Sequence, residues 1–420
     1  MTTVTSSRSR VVSRVGRLAA IVVAVGIVAC VSVPAASAST LATPPAIDPA
    51  LLPTAGLNYV ALGDSYSSGL GVDPQTDQPV AGCGQSSNNY PHQVASALGM
   101  HLTDVTCAGA QASNVTTTPQ PILAPDGTVI ATAPVQLDSL SVDTDVVTIT
   151  VGGNGLKFTQ VALACAAASA DGPLLFNNPP APAPPNLTCE PSVTALLNGV
   201  FPSLIKSLGD TYAAVKAAAP NAAVFVLGYP SIAPATVPTE GCFSPALTPN
   251  SFPFTTSDTP FLHSVETHLD QAVQAQAAAA GFTYVPTFAD SLGHSACAAP
   301  ADQYVNGVFV SMVLDPTTHL PVPLIDEKSL HPNAAGVDFM ASELLPGIVA
   351  AFPETVVTPT PTPTPTPLTT ETATALPSAS LAATGLSEPF IAGASVLALL
   401  FLGAGLSALI VQRKQRGQRR

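Results

Sequence analysis

Between residues 57 and 353 the apolar positions fall into two kinds of segment. Short runs rich in apolar and β-branched residues, closed by turn residues, occupy 57–62, 102–106, 146–151, 223–227 and 282–286. Such runs read as strands buried on both faces. Longer stretches between and after them, 90–98, 193–218, 261–280 and 333–352, place apolar residues at three- and four-residue steps. In the second of these Leu197, Val200, Leu204, Leu208, Tyr212 and Val215 form one stripe, as the buried face of a helix requires. Strands alternating with helices predict a parallel sheet of about five strands covered on both faces, a three-layer α/β/α sandwich. Two irregular, proline-rich stretches, 171–191 and 231–258, interrupt the alternation after strands. Loops that long in a compact domain are commonly functional, and they are expected to wall the substrate pocket, with Phe243 and Phe254 as candidate lining residues.

The two ends follow different patterns. Arg8, Arg10, Arg14 and Arg17 precede the apolar run 18–33, and Ala36-Ser37-Ala38 supplies a small-residue cleavage site. Residues 1–38 therefore read as a secretory signal peptide, with Ile27-Val28-Ala29-Cys30 as a competing lipoprotein-like signal. Residues 39–353 form the expected catalytic domain. Residues 354–380 are rich in Thr-Pro and read as an extended, semi-rigid linker. Within 381–420 the apolar segment 389–411 is long enough to span a bilayer, and the basic tail with Arg413, Lys414, Arg416, Arg419 and Arg420 should stay inside.

Charge narrows the choice of partner. The whole chain has 13 lysines and arginines against 26 acids. From 39 to 367 the cations are Lys157, Lys206, Lys216 and Lys328 alone, 4 against 24 acids, or −20. Such a surface does not attract nucleic-acid phosphates and gains little from anionic lipid. Six of the 7 cysteines lie beyond the leader. An even set in an exported chain reads as disulfides, with many connectivities open.

The strand at 57–62 stops at Gly63-Asp64-Ser65. Ligands of open α/β sheets bind outside the carboxyl ends of strands, so Ser65 sits where acyl chemistry can be done. Cys107-Ala108-Gly109-Ala110 follows a second apolar segment, Gly152-Gly153-Asn154-Gly155 follows a third, and Ser329-Leu330-His331-Pro332-Asn333 opens the last helix. Each motif alone fits an ordinary turn or helix cap. Together, and in this order, they resemble the four blocks of the SGNH (GDSL) hydrolases over roughly 58–345.

That resemblance implies a flavodoxin-like fold and a serine carboxylester hydrolase, a lipase or esterase acting on acyl esters with water as second substrate. Ser65 would be the nucleophile and lend its backbone N–H. Gly109 would give a second N–H, Asn154 a side-chain amide, and His331 would be the general base. The secreted actinobacterial lipases and esterases of this family have three sequential bridges, which here would be Cys83–Cys107, Cys165–Cys189 and Cys242–Cys297. Two positions depart from the family pattern. Gly155 stands where an aspartate often follows the asparagine, leaving the anchoring of Asn154 open. Lys328 stands where the triad acid usually lies, and a lysine cannot accept an imidazole N–H. Asp326 or Glu327 could reach round instead; the preferred reading is a Ser-His dyad served by the main-chain oxygen of Ser329.

Leu381-Ala382-Ala383-Thr384-Gly385 resembles a sortase signal of LAxTG type, which implies cleavage after Thr384 and attachment to peptidoglycan, the membrane span serving before sorting. A plain single-pass anchor is the alternative. No His-Glu-x-x-His, Cys-x-x-Cys or EF-hand loop occurs, so neither metal nor cofactor is expected. No Gly-x-Ser-x-Gly elbow occurs either, against an ordinary α/β-hydrolase. Rival functions are a carbohydrate O-acetyl esterase, acyl transfer to an alcohol, and an inactive hydrolase fold used as a surface binding module.

Overall fold

The computed structural model describes residues 49, 52–124, 127–176, 188–314 and 319–353. The expected leader, Thr-Pro linker, sorting pentapeptide, membrane span and basic tail lie outside them. The chain divides into two compact units, Met1–Val356 and Val357–Arg420. All elements below belong to the first.

In chain order these are β1 (Asn58–Gly63), α1 (Ser65–Ser68), α2 (Tyr90–Leu98), β2 (His101–Asp104), α3 (Ala112–Thr116), β3 (Gln120–Leu123), β4 (Val129–Ala133) and β5 (Val146–Thr150). There follow α4 (Gly153–Leu156), α5 (Phe158–Cys165), α6 (Glu190–Ala218), β6 (Ala223–Leu227), α7 (Thr259–Ala280), β7 (Thr283–Val285), α8 (Thr287–Asp290), β8 (Val310–Leu314), β9 (Pro321–Ile325) and α9 (Ala334–Ala351). The strands of the central sheet and its long helices thus fall within three residues of the boundaries expected from periodicity. Helix α6 starts three residues earlier than the expected 193 because Pro191 fits its first turn.

Among the described residues the central sheet has five strands in the order β2-β1-β5-β6-β7, and every pairing in it is parallel. Counting these strands alone in chain order gives 2-1-3-4-5, the flavodoxin-like order. Successive side chains leave a strand on opposite faces, and the core divides accordingly. Tyr59 and Ala61 of β1 pack with α2 and α9 through Val94, Leu98, Met340 and Leu344. Val60 and Leu62 face the other way, toward α6 and α7 through Leu208, Tyr212, Leu269 and Val273. This is the three-layer α/β/α sandwich expected of the chain. Helix α9 is apolar and long enough to cross a bilayer, but its Val337, Met340, Leu344 and Ile348 are buried in the core.

The bridges are Cys83–Cys107, Cys165–Cys189 and Cys242–Cys297, the sequential set. Two antiparallel hairpins stand outside the expected pattern: β3–β4 and β8–β9. Pro121, Pro321 and Pro323 interrupt their sequences, and proline inside a run argues against a strand unless the strand lies at an edge.

Candidate active site

Strand β1 delivers its chain to the site through a strained turn. Gly63 has φ +132°, and a Cβ there would lie 2.5 Å from both Ser67 Oγ and the Thr150 carbonyl, so only glycine fits. The Gln136 amide grips this residue on both sides, accepting the Gly63 N–H at 2.7 Å and donating to its carbonyl at 2.9 Å. Asp64 then caps α1, its carboxylate accepting the Tyr66 N–H at 3.0 Å. Ser65 follows as the first residue of α1, 6% exposed.

His331 reaches Ser65 from a loop 266 residues later in the sequence: its Nε2 lies 2.8 Å from Ser65 Oγ. Its Nδ1 lies 2.9 Å from the Ser329 carbonyl, an acceptor that fixes Nδ1 as the protonated nitrogen and leaves Nε2 free to accept. The loop holds this shape through several bonds. Leu330 takes a left-handed conformation at φ +60°. Its carbonyl accepts the Tyr66 hydroxyl, and the Asn306 side chain donates to the Lys328 carbonyl at 3.2 Å. Asp326 faces elsewhere: Oδ1 accepts the Lys328 N–H at 3.0 Å and Oδ2 lies 3.6 Å from Lys328 Nζ. Burial pushes the His331 pKa down to about 4, only partly opposed by its backbone acceptors. The imidazole is therefore neutral across ordinary pH, as a base must be.

Asn154 sits in α4, and its side-chain amide donates to the Ala110 carbonyl at 3.0 Å. This answers the question raised by Gly155, because a carbonyl from the second block replaces a local acid as the anchor. Ser65, Asn154 and His331 line one cavity of about 770 Å³. Gly109, exposed at φ +81°, lines a neighbouring hollow of about 490 Å³ with Gln120 and is tied to Asn154 only through Ala110.

Other residues join these pieces and were not legible as site residues. Tyr229, just after β6, donates its hydroxyl to Asp64 Oδ2 at 2.6 Å and accepts the Gly153 N–H at 2.9 Å. One side chain thus connects the serine turn with the asparagine block. Tyr66 packs edge-on against Tyr229 with ring centroids 4.8 Å apart, and lies 5.3 Å from the His331 ring. Burial pushes the Asp64 carboxyl up to about 7 despite these donors. Glu266 of α7 also borders the cavity and accepts the N–H groups of Ile232 and Ala233 at 2.9 and 3.1 Å. Only the spacing of Tyr66, next to the serine, could have signalled any of them.

Most of the cavity wall is apolar. Leu175 and Phe176 come from the first irregular stretch, Leu247 and Phe254 from the second. Phe243, expected to line the cavity, does not; next to the bridged Cys242 it is partly buried against the larger core cluster instead. The hairpin β8–β9 adds Val310, Pro323 and Ile325. Among the described residues no cluster of histidine, cysteine, aspartate and glutamate is placed to hold a metal ion.

A family model for the GDSL-like Lipase/Acylhydrolase family matches residues 61–339. Lipase 2 of Streptomyces coelicolor is 35% identical over 293 residues, covering 70% of this chain and 86% of its own. An esterase of Streptomyces scabiei is 27% identical over 349 residues, 79% of this chain and 93% of its own. Among solved structures, phospholipase A1 from Streptomyces albidoflavus NA297 aligns at TM-score 0.50 and 25% identity, over 70% of this chain and 99% of that one.

Proposed function

The chain belongs to the GDSL-like lipase/acylhydrolase family and is an ester hydrolase, and from that premise we propose that it is an exported, wall-attached lipase working through a Ser65–His331 dyad. The observation that carries this reading is the relay from Ser65 Oγ to His331 Nε2 at 2.8 Å and from His331 Nδ1 to the Ser329 carbonyl at 2.9 Å.

In the first half-reaction Ser65 Oγ attacks the ester carbonyl while Nε2 takes its proton. The oxygen that becomes negative is met by the Ser65 N–H and the Asn154 amide on the cavity wall, with the Gly109 N–H of the neighbouring hollow as a third donor once substrate is bound; loss of one such donor typically costs about a hundredfold to a thousandfold in turnover. The imidazolium then gives its proton to the departing alcohol, leaving an acyl-Ser65. Water repeats the sequence with Nε2 again as base, releasing the acid and restoring the serine. The imidazolium has only a neutral carbonyl at Nδ1, so its charge is stabilised by a dipole instead of a carboxylate.

A long-chain acyl ester is the substrate class that the apolar cavity of about 770 Å³ suits. Export rests on the leader 1–38, and wall attachment on the pentapeptide ending at Thr384-Gly385 ahead of the span 389–411, with sortase and peptidoglycan as partners.

The test is hydrolysis of p-nitrophenyl esters, acetate through palmitate, by the wild type and by Ser65→Ala. Turnover lost in the variant, with a preference for medium or long chains in the wild type, is expected. A preference for acetate would favour the carbohydrate esterase reading, and no turnover by the folded wild type would favour a binding module.

A further inference from the structure

The hairpin β8–β9 presents an unusual surface. Every residue of its strands except Ser311 is apolar, and every one except Val310 is exposed. Among the described strands the two pair only with each other. Side chains alternate across the ribbon, so Met312 and Leu314 leave one face while Val313 and Leu324, opposite Val322 and Ser311, leave the other. Both faces are exposed among the described residues, with Leu314 at 67% and Leu324 at 51% exposure.

The ribbon is continuous with the acyl cavity. Val310, Pro323 and Ile325 line that cavity, and so do Leu175, Phe176 and Leu247. Of these Phe176 is 60% and Leu247 65% exposed, so the cavity wall runs out onto the surface without a polar rim at these points. At the ribbon's base the Ser329 hydroxyl accepts the Phe309 N–H at 2.9 Å; the same residue's carbonyl holds His331.

We propose that β8–β9, with Phe176 and Leu247, is a docking surface for a neutral or zwitterionic lipid–water interface, through which an acyl chain passes from the aggregate into the cavity. This rests on the lipase reading and names where its substrate is met. Two features favour lipid over a protein partner, and the charge selects the kind of lipid. A protein surface would cover one face of a two-stranded ribbon, whereas hydrocarbon covers both. Pro321 and Pro323 carry no N–H, and proline in a paired strand sits where its nitrogen faces away from the ladder. The outer edge of β9 thus lacks two donors that would need satisfying in hydrocarbon, and it is a poor template for an added strand. The charge of −20 over 39–367 disfavours an anionic interface. Near the ribbon, Lys328 is already engaged by Asp326 at 3.6 Å and by the Phe309 ring at 4.4 Å.

The test uses residues 39–356, which hold both cores and all three bridges, so that the apolar segment 389–411 does not itself bind lipid. Leu314→Ser with Leu324→Ser changes two exposed residues outside the cavity lining. On the Ser65→Ala background, which leaves vesicles intact, sedimentation with phosphatidylcholine vesicles should show affinity falling about tenfold to a hundredfold. On the active background, turnover of emulsified triacylglycerol should fall likewise while soluble p-nitrophenyl butyrate is hydrolysed as by the wild type. Unchanged vesicle binding and emulsion turnover in the double variant would overturn the docking surface and leave the hydrolase intact. Conversion of a wild-type dimer to a monomer by the same substitutions would overturn it in favour of a second copy of the chain. Failure of the hydrolase reading would appear separately, as absence of butyrate turnover in the wild type.

Discussion

His331 receives its support from a main-chain oxygen, and this decides how the site responds to pH. With no carboxylate at Nδ1 to favour the imidazolium, burial dominates and the folded pKa falls to about 4. The base form persists below the ordinary imidazole range. The histidine limb for a soluble ester should lie near pH 4; because Asp64 beside Ser65 is itself pushed up to about 7, a limb near 6.5 contradicts this setting of His331 if it persists in Asp64→Asn. Stability has the same sign. A histidine whose folded pKa lies below its unfolded value destabilises the fold as pH drops from about 6.5 toward 4. Asp326→Ala should accordingly cost less than about tenfold in kcat, whereas His331→Ala should cost several orders of magnitude. Tyr229 makes a second prediction at this scale. Tyr229→Phe removes the hydroxyl shared by Asp64 and Gly153 and leaves both without that partner, a loss of about 1–3 kcal/mol of stability. As a positioning residue it should lower kcat by about tenfold or more with KM nearly unchanged, since serine turn and asparagine block lose their common brace while the apolar wall stays. A parallel rise in KM would assign Tyr229 to substrate binding instead.

At the scale of elements, legibility followed sequence distance. The central strands and long helices could be read because period and turn chemistry are local: Gly63, Gly99 and Gly281 end their segments in positive φ. The four motifs could be read because three follow the end of a strand and the fourth opens the last helix. The acyl wall could be read only in part: the two irregular stretches are expected there and supply Leu175, Leu247 and Phe254, but the β8–β9 ribbon is not, because no local rule fixes how segments so far apart meet. Pro321 and Pro323 hid the ribbon, though they fit the edge of a two-stranded sheet. Phe254 and Phe243 separate the two cases. Phe254 lines the cavity and packs edge-on against Phe252, with ring centroids 5.0 Å apart. Phe254→Ala should shift preference among p-nitrophenyl esters toward longer chains and lower stability by about 3–5 kcal/mol. Phe243→Ala should leave that preference where it is; a shift of similar size would mean that the second irregular stretch is shaped differently around its bridge.

For the molecule as a whole, the parallel sheet does the gathering. Ser65 and Asn154 follow neighbouring strands β1 and β5, whose pairing brings their carboxyl ends together, at the point where strand order reverses. His331 arrives from the far end of the same unit on the loop before α9. The fold was thus legible from periodicity, and the meeting of Ser65, Asn154 and His331 on one cavity from short motifs, while the tyrosine braces and the apolar ribbon depended on packing between distant segments. The Ser329 carbonyl has a consequence for how such a chain can change over generations. Every amino acid brings a carbonyl, so no single replacement at 329 deletes the imidazole's acceptor, and position 328 is released to drift, even to a lysine of the wrong charge. The constraint passes instead to whatever shapes the loop, to Asn306, Tyr66 and the left-handed Leu330. A search for a third member by residue identity meets no side chain at Nδ1, because the imidazole's partner there is the chain's own backbone.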